Sequence, residues 1–311
     1  MTANLNWNLI DDVRQLLAFH FMVNALRAGT IVAVVAGALG YFMVLRRASF
    51  AGHALAVIGF PGAAGATWLG INPLFGYFGF CVAGAVTIAV LPGQDQPTSA
   101  VGGAGDGSAA VGAVQGFALA CGFLFVSLYK GFLSGLNGLL FGTIIGITDS
   151  QVVVLIVAGS LCLAVLAMIA RPLLLATVDP EIARARGVPV RALGVVFLVL
   201  LGVGAAGTSQ VTGSLLVFAL LVAPAATATR LTARPVAGMF VAIAIAVAVT
   251  WIGEFVAFFS PYPIGFWVTT LAFTGFVAAS IYRTRSDRAG NWRATTPVTS
   301  MATTGAAGVQ R

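Results

Sequence analysis

Long apolar segments alternate with short polar ones along this chain. A helix needs roughly 20 residues to cross a hydrocarbon core about 30 Å thick, and nine segments approach or reach that length. They lie at 28–45, 50–69, 74–91, 110–128, 152–170, 193–206, 211–229, 236–258 and 264–282. The pattern predicts an all-α integral membrane protein, a polytopic bundle of about eight or nine transmembrane helices.

One further apolar segment, 131–146, is interrupted by glycines and is too short to cross a bilayer comfortably. Irregular backbone at membrane depth is tolerated where it is buried in protein or lines a water-filled cavity. We therefore expect a re-entrant half-helix between the fourth and fifth spans.

Composition excludes a water-soluble fold. Hydrophobic residues make up 59% of the 311 positions and charged residues 8%, whereas soluble domains carry about 25% charged residues. The apolar segments are also too long for the alternating strands of a membrane barrel. Cys81, Cys121 and Cys162 each stand alone within an apolar span, which favours core packing over a disulfide or a structural zinc site.

The net charge of +7 is explained by membrane orientation and not by a nucleic-acid partner. If the N-terminus is external, all but three of the 16 basic residues lie on the cytoplasmic side, as the positive-inside rule requires. The exceptions are Arg14, Arg27 and Lys130. We predict an external segment at 1–20, a permease domain embedded in the lipid bilayer at 21–283, and flexible cytoplasmic segments at 92–109 and 284–311.

A polar segment at 179–187 interrupts the apolar pattern and predicts a short cytoplasmic helix. Asp179 is suited to cap its first turn, Pro180 to occupy the first helical position, and Glu181 to complement the helix dipole. Gly187 ends the helix. Taken locally, the segment fits an ordinary capped loop helix as well as a docking element.

Two prolines fall inside predicted spans. Pro224 removes a backbone donor within 216–229 and would bend that helix, and Pro61 lies among glycines in the second span. A bent helix beside a pore is suited to gating, and packing alone explains both prolines equally well.

Ionisable side chains inside a bilayer are costly and are candidates for a functional site. His53 lies near the cytoplasmic start of the second span, and Glu254 lies toward the outer end of the eighth. An imidazole nitrogen and a carboxylate both bind zinc-like or manganese-like ions, so His53 and Glu254 are the candidate metal ligands.

Five segments together resemble the zinc and manganese family of bacterial ABC-transporter permeases. They are ALRAG at 25–29, VLRRASFAGHAL at 44–55, LLFGTIIGI at 139–147, VDPEIARARGV at 178–188, and GSLLVFALLVAPAATATRLTARP at 213–235. They occur in the family's order, and the last is the most diagnostic.

The resemblance implies a bacterial cell-membrane permease that imports Zn²⁺ or Mn²⁺ and holds no covalently bound cofactor. It implies that the helix at 179–187 docks on a separate ATPase subunit, with Asp179, Pro180, Glu181 and Gly187 as coupling residues. It further implies a pair of permease copies and an external metal-binding protein. Independently, the only lysine, Lys130, is not in a G-x-x-x-x-G-K-[ST] phosphate loop, so we expect ATP to be hydrolysed by the partner.

One departure from the family concerns the metal ligands. Relatives carry an acidic residue or histidine at the position of His53 and a second histidine four residues later, where this chain has Val57. Valine cannot bind a metal, so the site is rebuilt from other helices, the substrate differs, or transport is impaired. Two other functions stay open: an ion-coupled secondary transporter using Glu254 and His53 as a relay, and a non-transporting permease relative.

Overall fold

The computed structural model describes residues 14–91, 106–129, 147–213 and 217–294. Regular secondary structure in these ranges is helical throughout, beginning with a helical turn at 14–17. The helices that follow are α1 His20–Leu45, α2 Ser49–Trp68, α3 Pro73–Val90, α4 Asp106–Leu128, α5 Asp149–Val178, α6 Pro180–Ala185, α7 Val190–Thr212, α8 Val217–Leu231, α9 Pro235–Phe258 and α10 Ile264–Ala294.

Eight of these helices are long and apolar enough to cross a membrane, which confirms the predicted polytopic bundle. The other two are α6 and α8, with 6 and 15 residues. At about 1.5 Å per residue, α8 extends only about 22 Å, which is less than a bilayer core. The predicted half-helix at 131–146 lies outside the described residues.

The chain between the sixth and seventh predicted spans differs from expectation. The sixth span was predicted to end at 206, but α7 continues to Thr212. Thr208 and Ser209 donate their hydroxyl hydrogens to the carbonyls of Gly204 and Ala205, at 2.7 and 2.8 Å, so they are satisfied inside the helix. The break comes at Gly213, whose φ of 79° and ψ of 152° suit glycine alone.

Two helices extend beyond their predicted spans at 152–170 and 264–282. α5 starts with a capping box between Thr148 and Gln151 and contains Pro172 in its interior. It has 30 residues, so it is about 45 Å long and passes beyond a bilayer core to reach α6. α10 continues to Ala294, into the segment predicted as tail.

α1 and α2 are the most enclosed spans of the described bundle. In the 18-residue apolar stretch of each helix, 72% and 78% of the residues are buried, against 17% in α4. α1 contacts α5, α7, α8 and α9, while α2 contacts α3, α4 and α7. Side chains on these two helices therefore lie at the centre of the protein.

Small residues allow the central helices to approach closely. A Cβ on Gly62 of α2 would overlap the carbonyl oxygen of Gly76 on α3, and a Cβ on Gly40 of α1 would overlap that of Leu221 on α8. Small residues favour such close packing in bilayers, where helix association depends on van der Waals contact.

Polar side chains make contacts between helices at each of the two ends of the bundle. At one end Arg46 donates to Thr177 Oγ1 at 3.4 Å, and Arg283 donates to the carbonyl of Thr229 at 3.1 Å. At the opposite end His20, at the start of α1, pairs with Asp149 at the start of α5. The described basic residues Arg46, Arg184 and Arg283, which were predicted to be cytoplasmic, thus share the end that carries α6.

Candidate functional site

α2 exposes a narrow stripe on an otherwise enclosed helix. Between positions 51 and 66 every residue is buried except His53 and Val57, which are half-exposed. They are four residues apart and therefore lie on one face. We refer to this pair as the α2 stripe.

His53 has a ring nitrogen without a hydrogen-bond partner. Its ring packs edge-on against Phe218 of α8, with 5.0 Å between centroids and 74° between planes. Its Nδ1 is buried and has no hydrogen-bond partner among the described residues. Leaving a buried polar atom unpaired costs about 1–3 kcal/mol. An imidazole held in this way is suited to receive a metal ion or another donor.

The described side chains of one copy do not complete a metal site at the α2 stripe. Zinc sites need about four ligands, and among the described residues no group of three or more His, Cys, Asp or Glu side chains is placed to hold a metal. Val57 provides only methyl groups. Further ligands at His53 would have to come from outside these described side chains.

Glu254 lies in a closely packed helix interface. Its side chain is 0% exposed and rests against the backbone of α1 at Gly29, where a Cβ would overlap Glu254 Oε1. Neither its carboxyl oxygens nor Thr250 Oγ1, one turn earlier, hydrogen-bond to any described residue. Because the carboxyl contacts α1 directly, there is no space between them for a metal ion and its ligands.

The structure does not bring His53 and Glu254 together. Both can be located along α1. Gly52, the neighbour of His53, lies against Met43 of α1, since a Cβ on Gly52 would overlap Met43 Sδ. Glu254 contacts α1 at Gly29. Met43 and Gly29 are fourteen residues apart, which corresponds to about 21 Å along the helix axis. The two candidate ligands therefore lie at different membrane depths.

Pro61 and Pro224 both lie inside helices and are buried. Pro61 packs toward α4, where a Cβ on Gly122 would stand 3.0 Å from Pro61 Cγ. Pro224 follows Phe218, the aromatic partner of His53, by six residues on α8. Their role in gating stays a prediction.

The short helix α6 has the local structure expected from its sequence. Asp179 Oδ1 accepts hydrogen bonds from the backbone N–H groups of Glu181 and Ile182, at 3.1 and 2.9 Å, and Pro180 occupies the first turn. Gly187 follows the helix with a φ of 75°, in the left-handed region that favours glycine. The segment is thus a rigid, capped unit.

α6 turns one side toward the bundle and the other away from it. Ala183 is fully buried, while Ile182 next to it is 47% exposed, and the charged residues Glu181 and Arg184 are exposed as well. The outward side of α6 therefore carries one apolar side chain between charged ones, and a docking role for this side stays a prediction.

Sequence reasoning missed the polar contact at the end of the bundle opposite α6. Asn24 is 2% exposed and donates from Nδ2 to Asp149 Oδ1 at 2.8 Å. His20 lies 3.2 Å from the same oxygen, so three side chains connect α1 to α5. A predicted first span starting at 28 left His20 and Asn24 outside the helix, although an asparagine four residues after a histidine in an apolar segment was a usable signal.

These features define a class of protein: a multi-pass helical membrane protein with a short capped helix at one end and a half-exposed imidazole on a central helix. The chain belongs to the ABC 3 transport family, whose model matches residues 18–283. The family expected from the five segments is confirmed.

Named relatives and a solved structure agree with this assignment. The chain is 32% identical over 218 residues to the manganese import system permease protein ScaB of Streptococcus gordonii, covering 70% of this chain and 75% of the relative. It is 30% identical over 227 residues to the manganese transport system membrane protein MntC of Halalkalibacterium halodurans, covering 73% and 75%. PsaBC from Streptococcus pneumoniae, solved in complex with Fab, matches with a TM-score of 0.76 at 26% identity, over 87% of this chain and 95% of that one.

Proposed function

We propose that this chain is the membrane-spanning permease subunit of an ATP-driven importer that moves a divalent transition metal, manganese or zinc, into the cell. Family membership and the manganese import and transport functions named for its relatives support the proposal. The observation that carries it is a half-exposed histidine, His53, whose buried Nδ1 has no described hydrogen-bond partner, on the most enclosed of the described spans. A histidine facing lipid alone would be costly, so the α2 stripe faces protein or a water-filled path.

A second copy of the chain completes this path. In a two-fold dimer each copy presents the same surface, so two α2 stripes face each other and two His53 side chains approach one path. Two imidazoles with water or backbone oxygens give a weak site that metal ions can enter and leave. Glu254 stays outside this path because it lies about 21 Å away along α1.

The energy comes from a separate ATPase subunit that docks on α6. The chain has no phosphate-binding loop of its own, and α6 offers a capped, exposed surface at the end that carries most basic residues. A metal-binding protein delivers the ion at the opposite, external end. We place the segments 92–109 and 284–311 on the ATPase side.

Two competing functions are weighed by particular residues. A secondary transporter would need His53 and Glu254 as a relay, and their separation disfavours it. A non-transporting relative is favoured by Val57, because the stripe lacks the second histidine that the resemblance calls for. Measuring metal transport by the intact assembly separates the proposed importer from a non-transporting relative.

Substitutions in the α2 stripe test the path. His53→Asn removes the ligand nitrogen while keeping a polar side chain, and we expect it to lower ATP-dependent metal accumulation in cells at normal expression. Val57→His adds a second imidazole one turn away and should maintain or raise accumulation, since both rings face the same path.

His20→Asn is the matched control, because it makes the same change at the only other histidine of the chain. His20 lies at the outer end with its side chain 74% exposed, and its variant should transport metal at the parental rate. If His53→Asn accumulates metal like the parent, the path does not use His53 and this part of the proposal is wrong.

A further inference from the structure

Arg46 lies at the joint between the two central helices. It is the C-cap residue of α1, and its backbone N–H donates to the carbonyl of Phe42 at 2.9 Å. Arg47 follows with a φ of 55°, the backbone N–H of Ala48 donates to the carbonyl of Met43 at 2.9 Å, and α2 begins at Ser49. This tight turn holds the first residues of α2, including His53, in a fixed relation to Arg46.

The Arg46 side chain contacts both helices that flank α6. Its Nη1 donates to Thr177 Oγ1 at 3.4 Å, in the last turn of α5. Its guanidinium carbon lies 5.4 Å from the ring centroid of Phe197 on α7. Its Nη2 would lie 3.6 Å from a Cβ added to Gly194, also on α7. One side chain thus connects the α1–α2 joint to the helix that enters α6 and to the helix that leaves it.

The surroundings of Arg46 hold its side chain between neighbouring helices. Burial lowers the pKa of its guanidinium from the usual value, and no carboxylate among the described residues forms an ion pair with it. It is held by one hydroxyl and one aromatic face, and its planar guanidinium contacts both at once, which the compact ammonium of lysine reproduces poorly. Arg47, its neighbour, is exposed.

We propose that Arg46 is a positioning residue that transmits the movement of α6 to the α1–α2 joint and so to the α2 stripe. When a docked ATPase displaces α6, the adjoining ends of α5 and α7 move, and Arg46 carries that displacement to the start of α2. This inference rests on the proposed function, since it requires an ATPase acting at α6.

The test compares Arg46→Lys with Arg47→Lys in the complete transporter, purified with its ATPase and reconstituted in proteoliposomes. Both variants keep the charge and lie side by side, but only Arg46 contacts Thr177 and Phe197. The readout is the amount of metal transported per ATP hydrolysed. We expect Arg46→Lys to lower this ratio roughly 3-fold to 30-fold, the range of coupling effects of single residues, with ATPase assembly retained.

Phe197→Leu provides a second variant that removes the ring and keeps an apolar side chain. We expect it to lower the same ratio, and Arg47→Lys to leave it at the parental value. Parental ratios in both Arg46→Lys and Phe197→Leu would overturn the inference, as would a parallel loss of ATP hydrolysis and transport that leaves the ratio unchanged. If the parent itself shows no ATP-dependent uptake, the proposed function fails and the inference fails with it.

Discussion

Replacing Gly40 with alanine is expected to destabilise the protein strongly. A Cβ at this position would overlap the carbonyl oxygen of Leu221 and lie 3.0 Å from its carbonyl carbon, both backbone atoms of α8. A backbone obstacle cannot rotate away as a side chain can, so α1 and α8 must move apart. Overpacking of this kind costs about 1–3 kcal/mol. Thermal unfolding of the purified protein in lipid nanodiscs measures the loss.

Gly79→Ala is the matched control for this prediction. Gly79 lies inside α3 with nothing within 4 Å of its Cβ position, so the added methyl meets no neighbour. Alanine is favoured over glycine in a helix by about 1 kcal/mol, and the unfolding temperature should stay the same or rise. Equal decreases in unfolding temperature in the two variants would show that the contact between α1 and α8 does not explain the effect of Gly40→Ala.

Replacing Ile182 with aspartate is expected to abolish coupled transport without unfolding the chain. Ile182 is 47% exposed on α6, beside the buried Ala183 that fixes the helix to the bundle. A carboxylate there removes the apolar contact and adds a third negative charge near Asp179 and Glu181. Losing an interface hot spot costs about 2 kcal/mol or more, which is roughly thirtyfold in affinity. Co-purification of the ATPase and metal uptake by cells measure the effect.

Val236→Asp makes the same chemical change elsewhere at the end that carries α6. Val236 is 65% exposed in the first turn of α9, where an acidic residue is compatible with the helix dipole. This variant should retain its ATPase and its uptake. Retention of the ATPase by Ile182→Asp would mean that α6 is not the docking surface.

The bundle itself could be predicted from the sequence because lipid imposes a simple rule: each span must be apolar over a nearly fixed length. The rule does not locate the ends of helices that are longer than a bilayer core. The sixth predicted span ended at 206, yet α7 continues through Thr208 and Ser209, whose hydroxyls bond back to the helix, and Gly213 makes the actual break. α5 likewise continues beyond Pro172 to Val178, next to the start of α6.

The candidate site was predictable only as far as helical periodicity allows. Spacing alone places His53 and Val57 on one face, and the structure adds that this face is the half-exposed one. Spacing cannot reveal that Glu254 lies against Gly29, since that contact joins residues 225 positions apart. The contacts of Arg46 with Thr177 and Phe197 are equally non-local, so they become visible only in the folded bundle.

Uptake by the reconstituted transporter tests the central proposal most directly. The permease, purified with its ATPase and supplied with the external metal-binding protein, is placed in sealed vesicles, and accumulation of Mn²⁺ and Zn²⁺ is followed with and without ATP. We predict accumulation of one of these metals that requires ATP and the ATPase, with no uptake when a proton or sodium gradient is applied to the permease alone. Gradient-driven uptake by the permease alone, or the absence of ATP-dependent uptake of either metal by the full assembly, would contradict the account.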